Sequence, residues 1–264
     1  MRTVLTPGII IKKQPFGETD SCITIYSPIF GKIRAVAKGS RKITSRWMGH
    51  IEPPNFCQIQ LYKNGDNFTV TQCQIEKSYK KISENLEKLT TAMRILEAFQ
   101  KNTHGQEQCQ ELFNLLEYIL HKLNTASQPF IILEECKLKL LQINGAIANL
   151  ALCGFCNRRW TPESKIRLGN DGRFSCEKCN AKSQNVYNQI DFAVIKLANY
   201  LIKAQIIQKQ KILLSDAQKQ QLQRITEVFI NHFLGTAASL RYSQKSNLLF
   251  KTTGLLRPVS RDSQ

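Results

Sequence analysis

Two short cysteine pairs constrain this chain more than any other feature. Cys153-Gly154-Phe155-Cys156 and Cys176-Glu177-Lys178-Cys179 are separated by 19 residues, a spacing at which two CxxC turns each wrap half of a tetrahedral ion. Asn170-Asp171-Gly172 between them is turn chemistry that returns the second pair to the first. Cys153, Cys156, Cys176 and Cys179 are therefore expected to hold one zinc ion (Zn2+). Four thiolates leave no coordination position for water, so the ion is expected to be structural. Its binding energy, roughly 10 to 16 kcal/mol in finger peptides, suffices to fold an insertion too small to bury a core alone. A redox-active CxxC would sit in a βαβ setting, which the flanking sequence lacks. The other five of the nine cysteines, Cys22, Cys57, Cys73, Cys109 and Cys136, lie among apolar neighbours; they are read as reduced and mostly buried.

The hydrophobic period divides the rest of the chain. Short strands are predicted over Ile9 to Lys13, Cys22 to Tyr26, Lys32 to Ala37, Phe56 to Tyr62 and Phe68 to Gln74, punctuated by glycine, proline and asparagine turns. Five short strands in this span suit a small oligonucleotide-binding (OB) barrel, and an SH3-like barrel fits almost as well. Beyond Glu76 the period becomes helical. Leu86, Leu89, Met93 and Leu96 are expected on one face, and Leu112, Leu115, Leu116, Ile119, Leu120 and Leu123 form a longer stripe. Pro129 opens an apolar segment running to about Leu152. Later stripes comprise Phe192, Ile195, Ala198, Leu201 and Ile202, then Leu222, Ile225, Val228, Phe229 and Phe233; Ser215 with Gln218 resembles a capping box. The expected class is α+β: an OB-fold domain over 1–80, an α-helical domain over 81–240 with a zinc-binding insertion at 150–183, and a basic C-terminal tail over 241–264. That tail reads either as an added arm for phosphate or as a frayed end.

With 37 Lys and Arg against 20 Asp and Glu, the formal charge is +17, an excess that self-repels unless a polyanion offsets it. The charge has a pattern. In Lys32-Ile33-Arg34-Ala35-Val36-Ala37-Lys38 the strand period puts Lys32, Arg34 and Lys38 on one side with Val36. The following loop adds Arg41, Lys42, Arg46 and Trp47, while Lys12 and Lys13 close the first strand. Such a face is expected to track a nucleic-acid backbone, with Phe16, Tyr26, Trp47 or Tyr62 available for base stacking. For Tyr26 and Phe56 a core position is the stronger expectation, whereas Trp47 is the best candidate for exposure. Arg158, Arg159, Lys165, Arg167 and Arg173 around the cysteines either touch nucleic acid or offset the −2 charge of a four-thiolate zinc centre.

The residues and order of Gly8-Ile9-Ile10-Ile11-Lys12, Gly17-Glu18-Thr19-Asp20, Gly31-Lys32, Ala37-Lys38-Gly39-Ser40-Arg41-Lys42, Ser45-Arg46 and Pro53 resemble the RecO family of recombination mediators, as does His232-Phe233-Leu234-Gly235. The resemblance implies an OB domain followed by a helical domain bearing the zinc knuckle. It implies binding of single-stranded and double-stranded DNA, annealing of complementary strands coated with single-strand DNA-binding protein, and joint action with RecR to load RecA.

An enzyme fits poorly, since the sequence has neither a Walker-type phosphate loop nor a dinucleotide-binding glycine pattern. Scattered acids leave a metal-dependent nuclease as one rival, and an RNA-binding or ribosome-associated barrel with a structural zinc site as another. No apolar run reaches signal-peptide or membrane-span length, so a cytoplasmic location is expected.

Overall fold

The computed structural model describes residues 2–47, 49–102, 109–147, 149–181, 187–203 and 212–233. The basic tail over 241–264, together with Leu234 and Gly235, lies outside the described residues. Five strands, β1 (Arg2–Phe16), β2 (Asp20–Ser27), β3 (Gly31–Ala37), β4 (Phe56–Asn64) and β5 (Asn67–Lys77), close into a barrel in the order β1-β2-β3-β5-β4. The β3–β5 pairing is parallel and the other four are antiparallel. That is the OB arrangement, and the SH3-like alternative falls away.

The first strand is longer than the sequence pattern predicts. Its N-terminal half, Arg2–Ile9, pairs with β4, and its C-terminal half, Ile9–Phe16, pairs with β2. Pro7-Gly8 therefore does not precede the strand but lies within it. A bulge between Ile10 and Lys12 shifts the alternation there. Ile10 enters the barrel interior with Ile23, Ile25, Ile33, Ile59 and Leu61. Ile9 and Ile11 instead join Tyr26 and Phe56 in a second core shared with the helices. A run of three isoleucines is legible on this basis: one strand is buried on both faces.

Behind the barrel stand α1 (Lys80–Ser83), α2 (Leu86–Asn102), α3 (Gln110–Thr125) and α4 (Pro129–Ile143). Edge-on aromatic pairs, Tyr26 with Phe99 and Phe56 with Phe113, fasten the barrel to α2 and α3. The α3 stripe is buried as its period predicts, but on α2 the buried face is Ala92, Ile95, Leu96 and Phe99, leaving Leu86 and Met93 exposed. Pro129 occupies the first turn of α4, where its missing N–H costs nothing. This helix ends at Ile143, well short of Leu152, because Gly145 turns left-handed and the Ala146 N–H donates back to the Leu141 carbonyl.

A small sheet of β6 (Ile166–Gly169), β7 (Phe174–Cys176) and β8 (Tyr187–Ile190), ordered β7-β6-β8 and followed along β7 by α5 (Glu177–Asn180), carries the cysteine region. Finally α6 (Phe192–Lys203) and α7 (Asp216–Phe233) pack on α4. At the start of α7 the Gln218 N–H donates to Ser215 Oγ and the Ser215 N–H donates to Gln218 Oε1, a closed capping box. Among the described residues no helix is long and apolar enough to cross a membrane. All nine cysteines are unbridged; of the five outside the CxxC pairs, Cys22, Cys57 and Cys136 are buried and Cys73 and Cys109 half-buried.

Candidate nucleic-acid interface and metal centre

Across the outer barrel surface, strand register lines up the first cations. Lys12 on β1 stands opposite Thr24 on β2, and Thr24 stands opposite Arg34 on β3, so the three side chains share one face. The side chains of Lys12 and Arg34 are exposed and make no hydrogen bond or ion pair with the described residues. From the end of β3 the chain continues into the basic loop, and the loop is tied down. The Gly39 N–H donates to Asp20 Oδ1 at 2.7 Å, the Arg41 N–H donates to the Thr19 carbonyl at 2.8 Å, and the Arg41 guanidinium donates to the Gly17 carbonyl at 3.1 Å. These three bonds hold the 38–42 segment beside the β1–β2 turn. Lys38, four residues beyond Arg34, therefore lies farther along the same face, past Gln14, Cys22 and Val36, and Arg41 and Lys42 follow it. The Gly39 N–H, together with Thr19 and the charges of Lys38 and Lys42, keeps the Asp20 carboxyl below its ordinary value of 3.8.

Three predicted contact residues have other duties. Trp47 is not exposed: it is 4 % accessible and part of the barrel interior, with Nε1 donating to the Lys38 carbonyl at 2.9 Å. Its large apolar ring outweighs its basic surroundings, so it anchors the loop from below and leaves no face for a base. Arg46 lies 4.6 Å over the Trp47 ring and donates to the Thr71 carbonyl, remaining exposed at the β5 side. Lys32 is half-buried against α2, where Nζ donates to the Gln100 carbonyl at 2.6 Å; burial lowers its pKa. This lysine joins barrel to helix. Lys13 pairs with Glu52, which offsets its charge on the surface. Tyr26 and Phe56 are core residues, Tyr62 is half-buried, and Phe16 alone of the proposed stacking aromatics stands out, 54 % exposed at the end of β1.

Sequence reasoning missed Asp20 as the organiser of the basic loop. The signal was a carboxylate directly after the Gly17–Thr19 turn, three residues past Gly17, where it can accept from the N–H of a neighbouring loop.

The four CxxC sulfurs converge. Cys153, Cys156, Cys176 and Cys179 place their Sγ atoms within 4.8 Å of one another, and Cys156 and Cys176 are 3.9 Å apart. Tetrahedral coordination with metal–sulfur bonds of about 2.3 Å separates sulfurs by about 3.8 Å, so these residues fit a divalent ion. The turn Asn170–Gly172, with Gly172 left-handed, carries β6 into β7 and delivers the second pair. The first pair sits on a knuckle in which the Gly154 N–H donates to the Phe174 carbonyl and the Cys153 N–H to the Arg158 carbonyl. Burial alone raises the Cys153 thiol, but the backbone N–H groups of Cys156, Phe155 and Cys176 outweigh it and bring the value to about 7. Hydrogen sharing with Cys176 pushes Cys179 up to about 12. These N–H groups favour the thiolate form that metal coordination requires. Among the described residues these cysteines are the one cluster of three or more His, Cys, Asp or Glu side chains placed to hold a metal ion.

Comparison with known proteins agrees with this geometry. Residues 1–79 match the family model described as Recombination protein O N terminal, and residues 83–240 match Recombination protein O C terminal. The DNA repair protein RecO of Alkaliphilus metalliredigens is 27 % identical over 229 residues, covering 86 % of this chain and 92 % of that protein. Those of Thermoanaerobacter sp. and Clostridium perfringens are each 25 % identical, over 235 and 232 residues, covering 89 % and 88 % of this chain and 94 % and 93 % of the relatives. With both halves matched and relatives aligned along most of their length, the chain belongs to the RecO family of DNA repair proteins.

Proposed function

We propose that this protein is a non-enzymatic recombination mediator of the bacterial cytoplasm, working at the nucleoid. It binds single-stranded and duplex DNA through the outer face of the barrel domain over 1–80, anneals complementary strands, and with RecR loads RecA onto DNA coated by single-strand DNA-binding protein. The observation that carries this reading is the row Lys12–Thr24–Arg34 continuing into the tethered Lys38–Lys42 loop. Cations on a fixed scaffold neutralise phosphates of two strands that otherwise repel, and they leave the base edges free to pair. The contact set is Lys12, Arg34, Lys38, Arg41, Lys42 and Arg46.

Cys153, Cys156, Cys176 and Cys179 hold one structural zinc ion. The ion supplies a closed four-thiolate cross-link, and the chain contributes the N–H groups that stabilise the sulfurs. The helical domain over 81–240 takes its rigidity partly from that cross-link.

Pairing of complementary strands precoated with single-strand DNA-binding protein, in the absence of nucleotide, tests the function. The wild-type chain is expected to accelerate pairing. Arg41→Ala with Lys42→Ala is expected to slow it and to flatten the salt dependence of single-strand binding, whose slope is roughly −0.7 per neutralised phosphate. A salt slope unchanged in that variant removes the basic face from the mechanism.

A further inference from the structure

The basic face carries an apolar side chain that the fold does not explain. Ile43, between Lys42 and Thr44, is 93 % exposed, although its loop is far from loose. The Lys42 N–H donates to the Gly39 carbonyl, the Ser45 N–H to the Lys42 carbonyl and the Trp47 N–H to Ser45 Oγ, and the buried Trp47 ring pins the loop from beneath. A β-branched side chain is stiff at its first torsion. Held on such a platform, Ile43 projects into water as a fixed wedge and not as a side chain in search of a core.

Phe16 is its counterpart. Strand alternation puts it on the same face as Lys12, four residues and about 13 Å along β1, and it stands opposite Asp20, the residue that grips Gly39. Two exposed apolar groups thus emerge from two turns that hydrogen bonds fasten together. What surrounds them selects their partner. The loop positions on both sides of Ile43 are occupied by Lys38, Arg41, Lys42 and Arg46, all exposed, whereas the cores of protein–protein interfaces are depleted in lysine. Apolar surface hemmed by phosphates, as the faces of nucleobases are, is the complement of apolar side chains hemmed by cations.

We propose that Ile43 and Phe16 enter the base stack, Phe16 as a stacking platform and Ile43 as a wedge, and that the face thereby selects DNA whose bases are unstacked, the junction of a duplex with a single strand above all. This rests on the basic face being the DNA-binding surface. Apolar residues of this kind partially unstack the steps they enter, so the pair serves annealing by holding open the last step of a growing duplex while cations retain both backbones. Its contribution to affinity is independent of salt, because it releases no counterions.

The test compares the full chain with Ile43→Ala, Phe16→Ala, Phe16→Leu and the Arg41→Ala, Lys42→Ala double variant. Each binds oligo-dT, and a duplex with a single-stranded extension carrying 2-aminopurine at the first paired position, across a salt series. Ile43→Ala and Phe16→Ala are expected to weaken both complexes about three- to tenfold at every salt concentration, with parallel slopes, and to abolish the fluorescence rise that wild type produces at the junction. Phe16→Leu is expected to recover part of the loss. Both side chains are exposed, so unchanged melting temperatures are expected to accompany these effects. Affinity and fluorescence equal to wild type in Ile43→Ala and Phe16→Ala would overturn the inference alone. An unaltered slope in the double variant would overturn the basic face itself and this inference with it.

Discussion

At Gly8 the barrel has no space for a side chain: a Cβ there would lie 2.5 Å from Ile25 Cγ2 and 3.2 Å from Ile59 Cδ1. Gly8→Ala is expected to lower the urea midpoint by the equivalent of about 1–3 kcal/mol, since a packed interior yields little. Asp20 gives a prediction in pH. Its folded value lies below the ordinary 3.8, so the stabilisation from its bond to the Gly39 N–H is complete above that value and is lost as pH falls through the lower folded one. The Gly39 amide resonance is expected to stay constant from neutrality down to about pH 4 and to move only below it; in Asp20→Asn no such titration should remain. Residues of this size were unevenly legible. The four cysteines declared themselves by type and spacing. Trp47 misled because a tryptophan in a basic loop satisfies two physical descriptions, a stacking platform or a plug, and only the position of the Lys38 carbonyl and the barrel mouth decides between them.

Among the helices, α4 is the most enclosed. Beside its apolar residues it buries Glu134, Glu135 and Lys137. Lys122 Nζ on α3 lies 2.6 Å from Glu135, which also accepts from Tyr118, and Thr226 on α7 donates to Glu134 at 2.6 Å, with Lys137 at 2.7 Å. Charges this deep are stable only in company. Glu135→Leu is expected to cost about 3–5 kcal/mol by leaving Lys122 uncompensated, and adding Lys122→Met should restore a large part, as a double-mutant cycle in denaturant would measure. At the other end of the scale, Ser215→Ala opens the α7 capping box, and about 1 kcal/mol of thermal stability should go with it. The helical period found α3 entirely, because that helix buries a single broad stripe. On α2 it found Leu96 and the half-buried Leu89 but not the rest of the inward face. Leu86 and Met93 continue a leucine pattern outward, and the inward face is built partly from small alanines that a periodicity of large residues does not register.

Across the whole molecule, two apolar cores divide the labour. The barrel interior is one; the other runs from the outer side of β1 through the helices to Cys153, Trp160, Leu168 and Phe174 beside the cysteine cluster. Loss of the proposed zinc cross-link should therefore be felt by the helices before the barrel. Cys176→Ser is expected to release the metal and lower the melting temperature of the helical signal, while the Ile23 and Ile25 amides keep their protection from hydrogen exchange. A wild-type chain of equal stability after metal removal would contradict this. The order of the two folds, barrel first and helices second, was readable from the change of period. The way they join was not, because the seam is made by residues distant in sequence, Tyr26 with Phe99 and Lys32 with Gln100. The isoleucines at positions 9 to 11 answer to both cores, and this bears on how such proteins diverge. Grafting one relative's barrel onto another's helices is expected to leave alternate isoleucines facing strangers, and a working chimera is expected to need the matching halves of the seam carried together.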